Sequence, residues 1–474
     1  MRRFNKSKMN ILNSKLFGTA IGASLQTCAK NAKKSLQTCF SVLLLASLAL
    51  TSSLKAQENI TYKQSLQIAL EKNFNIKIAE NMSEIEANNN SLGNAGFLPT
   101  LNLNARNSTS ILNSEIELFD GTKINRDGAQ TKVLTASLDM NWRLFDGTRM
   151  FMEYKRLGIL SEIQKEALKS QINTTLGEVS LTFQQLLRLR EAVDILAQGL
   201  SISHERLELE QTKLDIGTSS ELEVLQAQTD LNADSSAFMR QEIQYTSLKL
   251  QFIRLLSLPS KTNIEIQDEE WKSYDYTIDD VMLNVKNQNP ELKRLQLQTN
   301  EQQIAIRQIQ AEYLPELDFN LGYAYNDQEA EASQLRFLTT QGLNYNFTAR
   351  LNLFQGFNQK RRIDNAKLAK KNNDLQLKQT EMLLENQTMT IWLSYVQSKS
   401  IFKLETTNFD AAEKTLGISK EKYNQGLMSA VEFREAQRNW LNARLRLLNA
   451  EFDVRVNEIE LMRLSGNFVI ESSN

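Results

Sequence analysis

Apolar residues recur at every seventh position through two long stretches, and this stride limits what the chain can fold into more than any other feature. Ile172, Val179, Leu186, Val193, Leu200, Leu207 and Leu214 keep it in the first stretch. Tyr395, Phe402, Phe409, Leu416 and Tyr423 keep it in the second, at an offset of 209 residues. A seven-residue repeat is the period of a coiled coil, not of a helix lying on a globule. Read as one helix, residues 148–214 would run about 100 Å at 1.5 Å per residue. No single domain core covers such a rod, so it must pack lengthwise on other helices. Only four prolines interrupt the chain, Pro99, Pro259, Pro290 and Pro315, which leaves room for helices of this length.

The chain is internally duplicated. "NFNIKIAE" (73–80) matches "NPELKRLQ" (289–296), and "FLPTLNLN" (97–104) matches "YLPELDFN" (313–320), both at an offset of 216. "LFDG" (144–147) recurs as "LFQG" (353–356), and Gly217 as Gly426, both at 209. The difference between the offsets predicts a shorter hairpin loop in the second copy. Residues 57–258 then form the first copy, 259–276 a linker, 277–468 the second copy and 469–474 a tail. Each copy reads as helix, two strands, very long helix, short break, helix. The shorter helices, over 62–97, 219–256, 278–314 and 429–464, are each about half the length of a long one. Two laid end to end match one rod.

The strands carry a second period. Leu134, Ala136, Leu138, Met140, Trp142 and Leu144 alternate with polar residues, as do Leu343, Tyr345, Phe347, Ala349, Leu351 and Leu353. Leu317 to Tyr325 repeats the pattern, and Leu101 to Ala105 does so more weakly. Eleven alternating residues fit a tilted outer-membrane strand, although a soluble half-buried sheet has the same period. The bulky apolar face favours the membrane reading, with Trp142, Phe145 and Phe354 at strand ends where an aromatic girdle would lie. Four strands cannot close a barrel, and lipid tolerates no open edge, so the barrel is expected to be shared between chains. The connecting segments 107–132 and 326–341 are read as polar loops.

The first 56 residues hold nine Lys and Arg, no acid and the apolar run "FSVLLLASLAL", which reads as a signal peptide for export. Both cysteines, Cys28 and Cys39, lie within it, so the remainder has no thiol for a disulfide or metal site. Taking those nine from the 55 basic residues leaves 46 against 56 acids, a balance that argues against nucleic acid as a partner. The sole histidine, His204, sits in the heptad stripe, where a structural role is expected. No cofactor, metal or nucleophilic constellation is visible, so an enzyme is not expected.

The duplication, the paired strands with their "LPxL" and "LFxG" ends, and the breaks "DIGTSSELEV" and "NQGLMSAVEF" resemble the TolC-type outer-membrane efflux factors over about residues 57–468. The resemblance implies a mainly α fold with a transmembrane β part: a homotrimeric 12-stranded β-barrel continued by an α-helical coiled-coil barrel. It implies an exit duct in the outer membrane, extending into the periplasm and serving a periplasmic adaptor and an inner-membrane pump. Gly217, Thr218 and Ser219, with Gly426, Leu427, Met428 and Ser429, would be the adaptor-docking tips. Glu223, Glu432 and Glu435 would line a narrow periplasmic aperture, and Tyr423 would hold helices together by bonding an acid such as Glu223. Where some members carry a basic residue two positions past the second tip glycine, this chain has Met428. Read from the residues alone, the tips also fit plain helix turns, the glutamates a solvated outer face and Tyr423 a coiled-coil core. A structural trimeric surface protein and a periplasmic adaptor are the competing functions; neither accounts for two internal strand pairs.

Overall fold

A computed structural model describes residues 58–268, 271, 276–331, 335–466 and 468. The expected signal peptide, with Cys28 and Cys39, lies outside the described residues. The chain divides into two units. The small one holds most of the pair β1 (Glu58–Ile60) and β4 (Ile264–Ile266), so the segment between the copies contains a strand.

The large unit repeats one order of elements twice. The first copy runs α1 (Tyr62–Lys72), α2 (Phe74–Asn89), β2 (Thr100–Glu117), β3 (Lys123–Asp146), α3 (Arg149–Asp215) and α4 (Glu221–Leu255). The second runs α5 (Ile278–Gln288), α6 (Pro290–Ala311), β5 (Glu316–Ala330), β6 (Phe337–Arg350), α7 (Asn358–Asn424) and α8 (Ala430–Ser465). The two long helices, α3 and α7, are each 67 residues.

Each long helix needs a partner along its whole length, and two short helices supply it. Helix α3 packs against α2 and α6 toward its start and against α4 and α8 toward its end, while α7 packs on α6 and then α8. Leu176, Val179, Phe183, Leu186 and Leu187 of α3 are inaccessible or nearly so, at the level where the short helices meet. Asparagine makes that junction in both copies. The Asn73 amide donates to the Leu255 carbonyl (2.8 Å) at the end of α4, and Asn289 does the same to Leu464 (3.0 Å) at the end of α8.

Those asparagines also correct the expected single helices over 62–97 and 278–314. Asn73 is extended at ψ 126°, and its side-chain oxygen accepts from the N–H groups of Asn75 and Ile76, restarting the helix. Asn289 caps α6 in the same way, and Pro290 behind it disfavours helical geometry at Asn289.

The strands form one antiparallel sheet in the order β2-β3-β5-β6. They reach well beyond the expected segments: most of 107–132 is strand, and residues 118–122 alone separate β2 from β3. The copies therefore differ in strand length, 18 and 24 residues against 15 and 14, and the second copy's loop is not the shorter one. A bulge between Arg143 and Phe145 skips Leu144, ending its alternation with Trp142, and β6 stops at Arg350, short of Leu351 and Leu353.

Candidate functional site

Two regions of the large unit carry side chains whose arrangement exceeds what packing requires: the sheet and the turns joining the long helices to α4 and α8. In the sheet, register places Leu101, Met140, Leu321 and Tyr345 in one row across all four strands, with Leu103, Leu138, Tyr323 and Leu343 in the next row on that face. Trp142, Phe319 and Phe347 form a third row, and the last two rings lie 4.7 Å apart, tilted at 31°. The opposite face carries Thr100, Asn141, Asn320 and Asn346, then Asn102, Asp139, Gly322 and Asn344. Asp139 accepts from Asn104 (3.0 Å) and Ser137 (2.6 Å), and Arg143 pairs with Asp318 at 2.9 Å. One sheet thus presents an apolar side and an amide-rich side. From Leu317 to Tyr325 the apolar rows extend roughly 27 Å along the strand.

The expected girdle residues differ in setting. Trp142 is 39% exposed on the apolar side and donates its indole N–H to the Phe97 carbonyl (2.9 Å). Phe145 pairs with Leu317 just past the bulge. Phe354 lies beyond the end of β6, highly exposed, with its ring edge-on to Phe357.

Both turns use the same backbone solution. Gly217 (φ +79°) donates to Leu214, and Thr218 donates to Lys213 (2.7 Å), which is the Schellman pattern of a helix end. Gly426 (φ +72°) and Leu427 repeat it on Tyr423 and Lys422. Each following helix starts on a serine capping box, Ser220 with Glu223 and Ser429 with Glu432. The S-x-x-E spacing announces both caps, Ser220 among them, although Ser220 lies outside the expected tip residues.

Glu223 and Glu432 therefore turn back onto their own helix starts. Hydrogen bonds from the Ser219 hydroxyl and the Ser220 N–H hold Glu223 below the usual carboxylate range, and the Ser429 N–H and hydroxyl do so for Glu432. Glu432 is fully exposed. Glu435 and Glu223 line one cleft of about 520 Å³ between α4 and α8, alongside Arg206, Asp230, Arg434 and Arg438.

Tyr423 does not bond Glu223. Its buried hydroxyl donates to Glu210 on α3, a residue that no sequence motif singles out. Glu210 also takes Lys213 (2.9 Å), and the Ser219 hydroxyl lies 2.5 Å from Glu210 and 2.7 Å from Glu223, with one proton to give. Burial alone would raise the Glu210 pKa, but the bonds from Ser219, Tyr423 and Lys213 outweigh it and hold it down. Burial, then the bond to Glu210, raises the Tyr423 pKa. The Tyr423 ring stacks on Phe433 (4.6 Å, 6°), Lys213 sits 4.0 Å over it, and Met428 packs on the same cluster.

A second polar cluster fastens α8 to the first copy. Arg434 makes a bidentate pair with Asp234 of α4 (2.7 and 2.9 Å), Ser203 donates to Asp234 (2.5 Å), and Arg206 pairs with Asp230. Gln437 donates to Ser203 and to the Gly199 carbonyl. Burial works to raise the Asp234 pKa, but Arg434 chiefly outweighs it. No sequence signal links residues 200 positions apart. His204 is off the core: its side chain is 63% exposed and lies 3.4 Å from Glu208, one turn along.

Comparison with known proteins gives consistent results. A family model described as outer membrane efflux protein matches residues 65–256 and 282–467, once per copy. Protein CyaE of Bordetella pertussis is 19% identical over 362 residues, covering 73% of each chain. Among solved structures, the CmeC outer membrane channel of Campylobacter jejuni superposes with a TM-score of 0.72 at 15% identity, covering 85% of both chains. The outer membrane protein VceC of Vibrio cholerae gives 0.69 at 13% identity, covering 85% of this chain and 96% of VceC. At such identities these two likenesses concern the fold.

Proposed function

Because the chain belongs to the outer membrane efflux protein family, we propose that three copies close one 12-stranded barrel and that their helices carry the conduit on through the periplasm to an adaptor and an inner-membrane pump. The family's members are outer-membrane exit ducts rather than enzymes, and typically act as trimers with such partners. The sheet is the observation that carries the reading. Its apolar rows match the roughly 25 Å band of an outer-membrane barrel, and β2 and β6 are open edges that lipid does not tolerate. Among the described residues no helix is long and apolar enough to cross a membrane. In a closed barrel the apolar side faces lipid and the amide-rich side faces the lumen, where water satisfies it.

The turns at Gly217 and Gly426 then lie at the far end of the duct, about 100 Å from the sheet by helix rise, and are its docking tips. Exposed Ile216, Leu222, Leu427 and Val431 give an adaptor apolar contact there. Glu432 and Glu435 are the aperture carboxylates, and the Tyr423–Glu210 contact holds the two helical hairpins of one chain together beside them.

Heat-modifiable migration and crosslinking of the membrane fraction test the assembly. The expected species is a trimer that dissociates on boiling. A monomer in the soluble fraction would remove the reading.

A further inference from the structure

Each position on the helices around the tips has a counterpart 209 residues away in the other copy, and several faces left open in one copy are already filled in the other. On α4, Met239, Ile243 and Leu250 are more than half exposed, while their counterparts on α8, Leu448, Phe452 and Ile459, are buried. Those three lie on the side of α8 that carries Gln437, Leu441 and Arg455, which meet Ser203, Gly199 and Gln184 of α3. On α7, Leu393 and Leu404 are more than half exposed, while their counterparts on α3, Gln184 and Ile195, are buried. The open faces of α4 and α7 thus repeat the two halves of the filled α8–α3 joint. A second copy of this chain supplies each with its complement, α4 of one chain against α7 of the next.

The two joints differ near the tips. Within the chain, Tyr423 donates to Glu210, Arg434 pairs with Asp234 (2.7 Å) and Lys420 pairs with Glu205 (2.6 Å). Carried over by 209 residues, these become Leu214 with Ser419, Leu225 with Ala443 and Gln211 with Lys414. None of the three contains an acid. Parting the chain's own joint would strand the carboxylates of Glu210 and Asp234 without their donors, which is costly for groups shielded from water. Parting the repeated joint breaks no such link.

We propose that the helical end of the duct parts between copies, along a seam where α4 of one chain lies on α7 of the next, while the polar links keep the two hairpins of each chain together. The proposal rests on the trimeric duct. Three seams then alternate with three clamped joints around the tube, and the seams separate first because apolar faces there gain water while no carboxylate loses a partner.

Paired cysteines test it in the purified protein. With Cys28 and Cys39 changed to Ser, the chain has no other cysteine. Asn232 and Asn408 are exposed, and their counterparts Leu441 and Gly199 lie against each other. Asn232→Cys with Asn408→Cys should therefore oxidise to a disulfide between chains, seen as crosslinked chains on boiled, non-reducing gels. In planar bilayers the oxidised protein should conduct at least tenfold less than the same protein after reduction. Gly199→Cys with Leu441→Cys staples the chain's own joint, its closure read as loss of free thiols, and should change conductance less than twofold. Absence of crosslinked chains from a protein that still runs as a heat-dissociable trimer would overturn the seam and leave the trimer standing. Equal conductance before and after reduction, or an equal drop with both staples, would overturn the parting between copies. A monomer would overturn the trimeric reading and the seam with it.

Discussion

At Tyr423 a single hydroxyl links two hairpins whose residues are 213 positions apart. Tyr423→Phe keeps the stack on Phe433 but withdraws a donor from a buried carboxylate, which should cost about 1–2 kcal/mol. Thermal unfolding of the purified protein measures the loss, and in the proposed duct, bilayer recordings should show a higher open probability. The pH dependence has a definite sign. Because the folded Glu210 pKa lies below its ordinary value of 4.5, the contribution is complete above that value and fades only as pH falls through the lower one. Acid titration of stability should show this fade, while stability near neutrality stays flat; a Glu210→Gln chain should lack the fade. The two carboxylates proposed to line the aperture are also separable. Glu432 is exposed, whereas Glu435 shares its cleft with Arg434 and Arg438, whose charges offset its own. Glu432→Gln should therefore reduce cation preference in single-channel recordings more than Glu435→Gln does. An equal effect would place both side chains in the same water.

At the scale of elements, caps and clamps decide how firmly the tips are held. Gly217→Val or Gly426→Val forces a branched side chain to positive φ, at a cost of about 1–2 kcal/mol, although a Cβ at either position would meet no atom within 4 Å. Binding of a purified adaptor should weaken while membrane insertion, far away, is unchanged. Arg434→Met leaves Asp234 without its bidentate partner, and breaking a partly buried pair of this kind should lower stability by about 3 kcal/mol. Much of this level was legible in the sequence. The long helix expected over 148–214 is Arg149–Asp215, because a heptad stride over so many turns leaves little freedom in its ends. The breaks at Asn73 and Asn289 were missed, although Asn before Pro290 is itself a restart signal, because apolar residues continue across them. Strand ends were missed for a different reason. Alternation fades where both faces become polar, so residues of β2 and β3 beyond the apolar band read as loop. The Arg434–Asp234 clamp and the Glu210 bond were not legible at all, since charges on a coiled coil are common and only the fold brings these together.

At the scale of the whole molecule, the duplication governs what can change. Helices α3 and α7 are both 67 residues, and the short helices abut through Asn73 and Asn289 at matching levels. Removing seven residues from α3 alone keeps its stripe in phase but slides every contact below the cut by about 10 Å against α4 and α8. That chain should fail to assemble, whereas a coordinated removal from α3, α4, α7 and α8 should yield a shorter, assembly-competent protein, as crosslinking would report. Evolution faces the same arithmetic. A single insertion or deletion in one rod is out of step with three others, so the reach of this molecule behaves as a quantised length, altered in whole heptads at four places together or not altered at all.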